Sequence, residues 1–392
     1  MRRRPARRRP PGEAPRASVE RGREREIGGG ASIGPALRNN PPTPCARSAI
    51  RASLRRIERG SVISVAITRD DRMKLPSPHS PSRAGERGRR ALLIAGPTAS
   101  GKSAAAIVLA ERFDATIVNA DSMQVYADLR ILTARPTAED ERRAPHRLFG
   151  AIDGGVNYSV GRWAQAARDV LAELGDRPVV FVGGTGLYFR ALTEGLSDTP
   201  SAPEAVRWRI RAEAEGRASA ELHADLKALD PETAARLNPS DRQRILRALE
   251  VAAATGRPLA SFLGAQSAPA LAAGEWAGLY LAPERAELYR RIDDRFDAML
   301  ADGALDEAER LRRRGLDPAL PIMRAHGVRH LIAHLEGRTS LAEAAARSKL
   351  DTRHYAKRQF TWARHQMNGF RWIAPEDAMD EGARALAGNG AG

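Results

Sequence analysis

Gly96, Pro97, Thr98, Ala99, Ser100, Gly101, Lys102 and Ser103 read G-x-x-x-x-G-K-S without interruption. Few patterns restrict a chain's fold so tightly. The run before it, Ala91-Leu-Leu-Ile-Ala95, is short and wholly apolar, as a strand buried on both faces requires. The run after it, from Ala104 to Arg112, has the alanine-rich make-up of a helix. A loop of this kind aims backbone N–H groups at a phosphate chain held at the helix N-terminus. Lys102 would neutralise the phosphates, and the Ser103 hydroxyl would hold a Mg²⁺ ion. The loop by itself specifies a diphosphate ligand and no reaction.

Alternation of apolar and helical runs extends the pattern. Residues 115–120 read as a second strand, ending in Asp121, Ser122, Met123 and Gln124. Residues 159–174 read as a helix and 177–182 as a third strand, ending in Gly183-Gly-Thr185-Gly. Strands alternating with helices predict an α/β fold, a three-layer core around a parallel sheet. Residues 200–264 are charged and helical, with Asp230-Pro231 and Asn238-Pro239 as cap and turn signals between short helices. A strand returns near residues 279–282, and helices follow at 284–301, 305–314, 327–334 and 341–364. The predicted organisation is an extension at 1–88, a core at 89–198, an all-helical insert at 199–274, the rest of the core with C-terminal helices at 275–375, and a flexible tail at 376–392.

The net charge of +15 suggests a nucleic-acid footprint, but its distribution is uneven. The first 90 residues hold 23 Lys and Arg against 8 Asp and Glu, so residues 91–392 are neutral as a whole. The extension is rich in Arg, Pro, Gly and Ser and is expected to be disordered, either as a basic arm or as sequence upstream of a translation start near Met73. Within the neutral body, residues 321–372 carry ten Lys and Arg against three Asp and Glu, interleaved with Tyr355, Phe360, Trp362, Phe370 and Trp372. Such a stretch suits a phosphate backbone, or else a solvated helix whose aromatics fill the core. A single cysteine, Cys45, leaves no disulfide framework. No apolar run reaches the roughly 18 residues of a membrane span, so a cytoplasmic protein without a membrane partner is expected.

The chemistry-bearing groups are few. The third strand ends in glycines and a threonine, with no acid to organise a metal for phosphoryl transfer. Asp121, at the tip of the second strand, is the best-placed carboxylate, either as a general base or as a turn residue. Thr185 is a substrate contact or a turn threonine. Gln243, Arg244, Ile245, Leu246 and Arg247 form a helical segment with two arginines three apart, a spacing suited to phosphate contacts. Arg324, Arg329, Arg358 and Gln359 are further polar groups of the basic region. His326, His330 and His334 have helical spacing, but no carboxylate or cysteine completes a metal set.

Taken in order, these motifs resemble one family, the tRNA dimethylallyltransferases. The matching pieces are the loop 96–103; Asp121-Ser-Met-Gln-Val-Tyr126 with Thr133-Ala-Arg-Pro136; Pro145-His-Arg-Leu148 with Tyr158-Ser-Val160; Gly183 to Tyr188; Asp241 to Val251; Arg291 to Leu300; and Thr352 to Trp362. The resemblance spans about residues 90–373. It departs at Met323 to Arg329, where the family usually has a Gly-Tyr pair, and at Pro145-His146-Arg147, which replaces a paired histidine. It implies a core of the P-loop NTPase type whose loop grips the diphosphate of dimethylallyl diphosphate, with Mg²⁺ and Arg295 assisting. Asp121 would take a proton from the exocyclic amine of the adenosine 3′ of the anticodon. The resemblance also implies that Thr185 and Arg207 contact the target nucleotide region. It assigns tRNA binding to Asp121–Gln124, to Gln243–Arg247 and to the polar groups of 324–359. A monomer is expected. The rival readings are a small-molecule kinase and a prenyltransferase acting on free adenine nucleotides.

Overall fold

The computed structural model describes residues 90–264 and 266–388; the predicted extension at 1–88 and the proposed start at Met73 lie outside them. In chain order, the first half of the core comprises β1 (Ala91–Ala95), α1 (Lys102–Phe113), β2 (Thr116–Asn119), α2 (Ala138–Arg143), β3 (His146–Arg147), α3 (Val160–Leu174), β4 (Val179–Gly183) and α4 (Gly186–Thr193). The helices α5 (Glu204–Glu213), α6 (Ser219–Leu229), α7 (Pro231–Arg236) and α8 (Arg242–Thr255) follow. The chain then returns through β5 (Trp276–Leu281), α9 (Arg285–Ala301), α10 (Ala304–Arg313), α11 (Val328–Leu335), α12 (Leu341–Gln366), β6 (Phe370–Ile373) and α13 (Ala378–Leu386).

The six strands form one sheet in the order β3-β2-β4-β1-β5-β6, and every pairing is parallel. Parallel strands need both faces covered, and β1 shows how. Ala91, Leu93 and Ala95 join the core beneath α3 and α4, while Leu92 and Ile94 pack on the opposite side with α1. The sheet order makes β2, β4 and β1 consecutive neighbours. Their carboxyl ends carry Asp121, Gly184-Thr185 and the phosphate loop, so three segments distant in sequence meet at one edge. Open α/β sheets bind ligands at that edge.

Local signals set the helix ends. Ser159 caps α3 by accepting from the Arg162 backbone, and Asp241 caps α8 by accepting from the Arg244 backbone. Asp230 caps α7 with Pro231 in the first turn. The helices α5 to α8 pack around their own small core of Ala214, Leu222, Leu226, Ala234, Ile245, Ala248 and Leu249. No helix among the described residues is long and apolar enough to cross a membrane.

The C-terminal region departs from expectation in two ways. Phe370–Ile373 is a strand that extends the sheet beyond β5, not part of a basic helical stretch. The segment read as a flexible tail carries α13, which packs on α1, with Ala378, Met379, Ala383 and Leu386 in the core on that face. Glu381, nearly buried, accepts from Arg371 and Arg384 and ties α13 to β6. The close approach depends on Gly382, where an added Cβ would lie 2.4 Å from Leu109 Cδ1. Gly382→Leu should therefore lower stability by about 1–3 kcal/mol through overpacking. The expected readout is a lower urea midpoint at an unchanged m-value.

Candidate active site

The phosphate loop has the geometry of an anion cradle. Gly101 precedes α1 in the left-handed region at φ 88°, and Ala99 occupies the same region at φ 63° without being glycine. Such a conformation costs a β-carbon-bearing residue roughly 1–3 kcal/mol and is kept at functional loops. No acid stands in the first turn of α1, so the positive end of the helix dipole is left for a ligand. The Lys102 ammonium spans the loop and donates to the Pro97 carbonyl at 2.9 Å. Lys102 keeps part of its surface exposed, but its ammonium group is packed round by protein. That burial draws its pKa down to about 8, against the opposing pull of the Asp121 carboxylate; the Arg295 guanidinium lowers it further. Arg295, from α9, donates to Thr98 Oγ1 at 3.5 Å and is itself lowered by burial.

Asp121 is held rigidly. Asn119, fully buried, accepts from the Asp121 backbone N–H at 2.8 Å and donates to the Asp121 carbonyl at 2.9 Å and to the Leu148 carbonyl at 3.2 Å. Asp121 Oδ1 accepts from the Met123 backbone at 2.9 Å, so the residue does serve its turn. Oδ2 faces Gly184, where an added Cβ would lie 3.4 Å from it. Thr185 Oγ1 accepts from the Ser122 backbone at 2.9 Å and donates to the Ser122 hydroxyl at 3.2 Å, joining the β4 turn to the β2 turn. Of the glycines between them, Gly183 is a steric necessity against backbone, and Gly184 leaves room for the Gln359 amide. A Cβ on Gly183 would meet the Ala120 carbonyl oxygen at 2.0 Å, and one on Gly184 would meet Gln359 Nε2 at 2.3 Å.

Helix α12 closes the site. Gln359 accepts from the Thr98 backbone at 3.2 Å and donates to the Gly184 carbonyl at 2.9 Å, bridging two strand ends. Tyr355 is buried and engages Thr185, and burial, then the Asp121 charge, drive its phenol pKa upward. His326 packs against the Tyr355 ring at 4.7 Å, and burial, then Arg358, hold its pKa down.

Two cavities share Tyr355 and Arg358 as walls. A cavity of about 410 Å³ is lined by Thr98, Asp121, Ser122, Met123, Gln243, Arg295, Phe296, Arg324 and His326, among others. A mainly apolar one of about 230 Å³ lies beside Gly96 and Gly184 and is walled by Phe189, Tyr280, Trp362 and Met367. The Tyr280 hydroxyl is buried there without a hydrogen-bond partner among the described residues. Carboxylate, cations and an apolar recess thus converge, an arrangement able to stabilise a departing anion and accept a proton beside it.

Other expected site residues are placed differently. Gln124 spends its amide on the Thr133 and Ala134 carbonyls, anchoring a wall segment. Gln243 reaches the larger cavity, whereas Ile245 is fully buried in the core of the helical insert and Leu246 packs against it. The helix turns Ile245 wholly inward, whereas Leu246 keeps part of its surface exposed. Arg244 is exposed beside Asp241, and Arg247 donates to the Pro200 carbonyl. Arg207 stands on α5 beside Arg247, not among the cavity walls. Of the ten cations at 321–372, six make ion pairs, including Arg329 with Asp351. Arg324, Lys357, Arg358 and Arg364 make none among the described residues. The aromatics of that stretch mostly fill the core, with Trp372 packed on Tyr280 at 4.3 Å and Phe360 at 6.1 Å. His330 bonds Asp351 and His334 the Thr339 carbonyl. Asn119, Tyr355 and His326 carry the site without a sequence signature of their own.

Comparison with known proteins agrees with this arrangement. Residues 124–366 match the family described as IPP transferase. A tRNA dimethylallyltransferase of Methylocella silvestris is 63% identical over 291 residues, covering 74% of this chain and 96% of that protein. One of Beijerinckia indica is 62% identical over 290 residues, covering 74% and 96%. Among solved structures, the tRNA isopentenylpyrophosphate transferase of Bacillus halodurans aligns with a TM-score of 0.54 at 32% identity, covering 76% of this chain and 97% of that one. A eukaryotic dimethylallyltransferase acting on tRNA aligns with a TM-score of 0.64 at 25% identity, covering 76% and 78%. The matched span holds Thr185, Arg295, Tyr355 and Gln359, and the chain belongs to the IPP transferase family, with the tRNA dimethylallyltransferases as its relatives.

Proposed function

We propose that the chain transfers a dimethylallyl group from dimethylallyl diphosphate to the exocyclic amine of the adenosine 3′ of the tRNA anticodon. The observation that carries this reading is that Asp121 and Arg295 share the wall of one cavity, with the buried Lys102 ammonium close enough to feel both charges, while β4 ends in glycines with no acid. A phosphoryl-transfer site needs a metal-organising carboxylate there. A site that only has to hold a leaving diphosphate does not.

The diphosphate lies on the loop amides, Lys102 and Arg295, and the prenyl chain enters the apolar recess beside Gly96 and Gly184. The adenine enters from the larger cavity, unstacked from its neighbours as base-modifying chemistry requires. The bond from the prenyl carbon to the diphosphate oxygen breaks, and its electron pair leaves with the diphosphate. The bond from that carbon to the adenine nitrogen forms, and the amine proton passes to Asp121 Oδ2. Lys102 and Arg295 stabilise the charge that develops on the leaving group. The Ser103 hydroxyl is exposed at the start of α1 and makes no hydrogen bond among the described residues, which fits a Mg²⁺ ion held mostly by phosphate oxygens. When bound, that ion neutralises part of the diphosphate charge. All these groups come from one chain, so a monomer suffices.

The direct test is mass spectrometry of an anticodon stem-loop incubated with the protein and dimethylallyl diphosphate. The expected product is one prenyl group on the adenosine 3′ of the anticodon; prenylation of free adenosine monophosphate in place of the stem-loop would redirect the assignment. Asp121→Asn keeps the turn to Met123 but cannot take the proton. It should leave RNA affinity unchanged and lower kcat about 10²–10⁴-fold. Unchanged turnover would refute the general-base role.

Lys102 gives a pH signature. Its ammonium has a pKa drawn down to about 8, and only the protonated form attracts an anion. Bound diphosphate raises that pKa, so binding takes up protons near pH 8 and weakens as pH rises above it. Calorimetry in two buffers of different ionisation enthalpy reads the uptake. Lys102→Met should abolish the protein's share of it.

A further inference from the structure

Trp208 is the most exposed large apolar side chain among the described residues, at 74% of its surface. The other four tryptophans, Trp163, Trp276, Trp362 and Trp372, all pack on the main core. Its position is fixed, not frayed. Arg211, three residues on, donates from Nε to the buried Glu250 of α8 at 3.0 Å, and Ile210 and Ala214 seat α5 on the insert's core. Ile210 and Ala214 stand two and six positions on, on the opposite side of the helix, so with them turned inward Trp208 faces solvent.

The surroundings of Trp208 discriminate between occupants. A protein-docking anchor sits within a contiguous apolar patch. Trp208 instead has Glu204 and Arg209, both exposed, on its own helix, and half-buried Arg207 beside it. Arg207 and Arg209 make no ion pair among the described residues, and Arg207 lies close enough to Arg247 of α8 to depress its pKa, after burial. One turn before Arg247 on α8, Gln243 lines the larger cavity. A strip of polar and cationic groups therefore runs from the cavity through Gln243, Arg247 and Arg207, with an exposed indole at its end. Unpaired cations with an aromatic face suit single-stranded nucleic acid, the cations following phosphates and the ring stacking a base.

We propose that Trp208 is a stacking platform for an unpaired base of the RNA substrate, extending its footprint on the helical insert beyond Gln243 to Arg247. The inference rests on the RNA reading above, but is tested without the prenyl donor. Binding of a labelled anticodon stem-loop to the full chain would be measured for the wild type, Trp208→Ala, Trp208→Phe and Arg247→Ala. Trp208→Ala should bind on the order of tenfold more weakly with an unchanged salt slope. Trp208→Phe should recover most of the loss. Arg247→Ala should instead reduce the slope by about one phosphate contact. Because Trp208 is exposed, melting temperatures should match; the wild type's fluorescence should be quenched by RNA more than that of Trp208→Phe. Equal affinity of the wild type and Trp208→Ala overturns the proposal, as does an equal loss on a blunt duplex with no unpaired base. Loss of self-association in Trp208→Ala, with RNA affinity intact, would also overturn it and assign the indole to a protein contact. A wild-type chain that binds no stem-loop would instead refute the RNA reading itself.

Discussion

The buried ammonium of Lys102 is the constraint around which the site is built. A cation removed from water is costly unless something offsets its charge. Here the offset is deliberately incomplete. The Pro97 carbonyl accepts one of its hydrogens and the Asp121 carboxylate pulls its pKa upward, but burial wins and Arg295 adds a second positive charge nearby. The unneutralised end of α1 points the same way. An anion is what this arrangement lacks, and the proposed diphosphate would supply it. Its binding would relieve like-charge repulsion, so part of the affinity for an anion is built into the fold.

Keeping such a cluster requires a rigid frame, and the parallel sheet provides it. Register on β1, β2 and β4 aligns three strand ends, and side chains then stitch them together. Asn119 fixes the Asp121 turn, Ser122 and Thr185 join the ends of β2 and β4, and Gln359 reaches from α12 to join the β4 end to the phosphate loop after β1. Each of these groups is buried or half-buried with its partners met, so its loss would leave polar atoms unpaired. The long helix α12 is therefore less a basic RNA surface than a lid whose inner face completes the site.

The core was legible from sequence where hydrophobic pattern and local capping coincide. The apolar runs at 91–95, 115–120, 177–182 and around 279 emerge within a few residues of their observed bounds, and Asp230-Pro231 marks the start of a helix in the insert. The phosphate loop, Asp121 and Thr185 were visible because their residue types are unusual at strand ends. What escaped depends on packing rather than on pattern. The strand Phe370–Ile373 is four residues long and follows a long helix, and α13 packs through small residues such as Gly382 that carry no strong periodic signal. Ile245 offers no surface because a contiguous motif on a helix is not a contiguous surface: the helix turns part of it inward. Tyr355 and His326 reach the site only through the tertiary placement of α12 and the segment before α11.

The independent core of α5 to α8 bears on how an RNA and a small diphosphate are handled by one chain. The diphosphate groups belong to the sheet and its covering helices, whereas Arg207, Arg247 and Trp208 belong to the insert. Gln243 is the group that the insert contributes to the cavity wall. Affinity for a long polyanion accumulates from many weak, salt-sensitive contacts, whereas chemistry at one amine depends on sub-ångström placement. Separating the two means that a change on the insert's surface need not disturb Asp121 or Lys102. It also explains why a residue as conspicuous as Trp208 can appear on the outer face of α5 at little cost to the site. The exposed indole is free to be selected by what it touches in the RNA, not by what the fold needs.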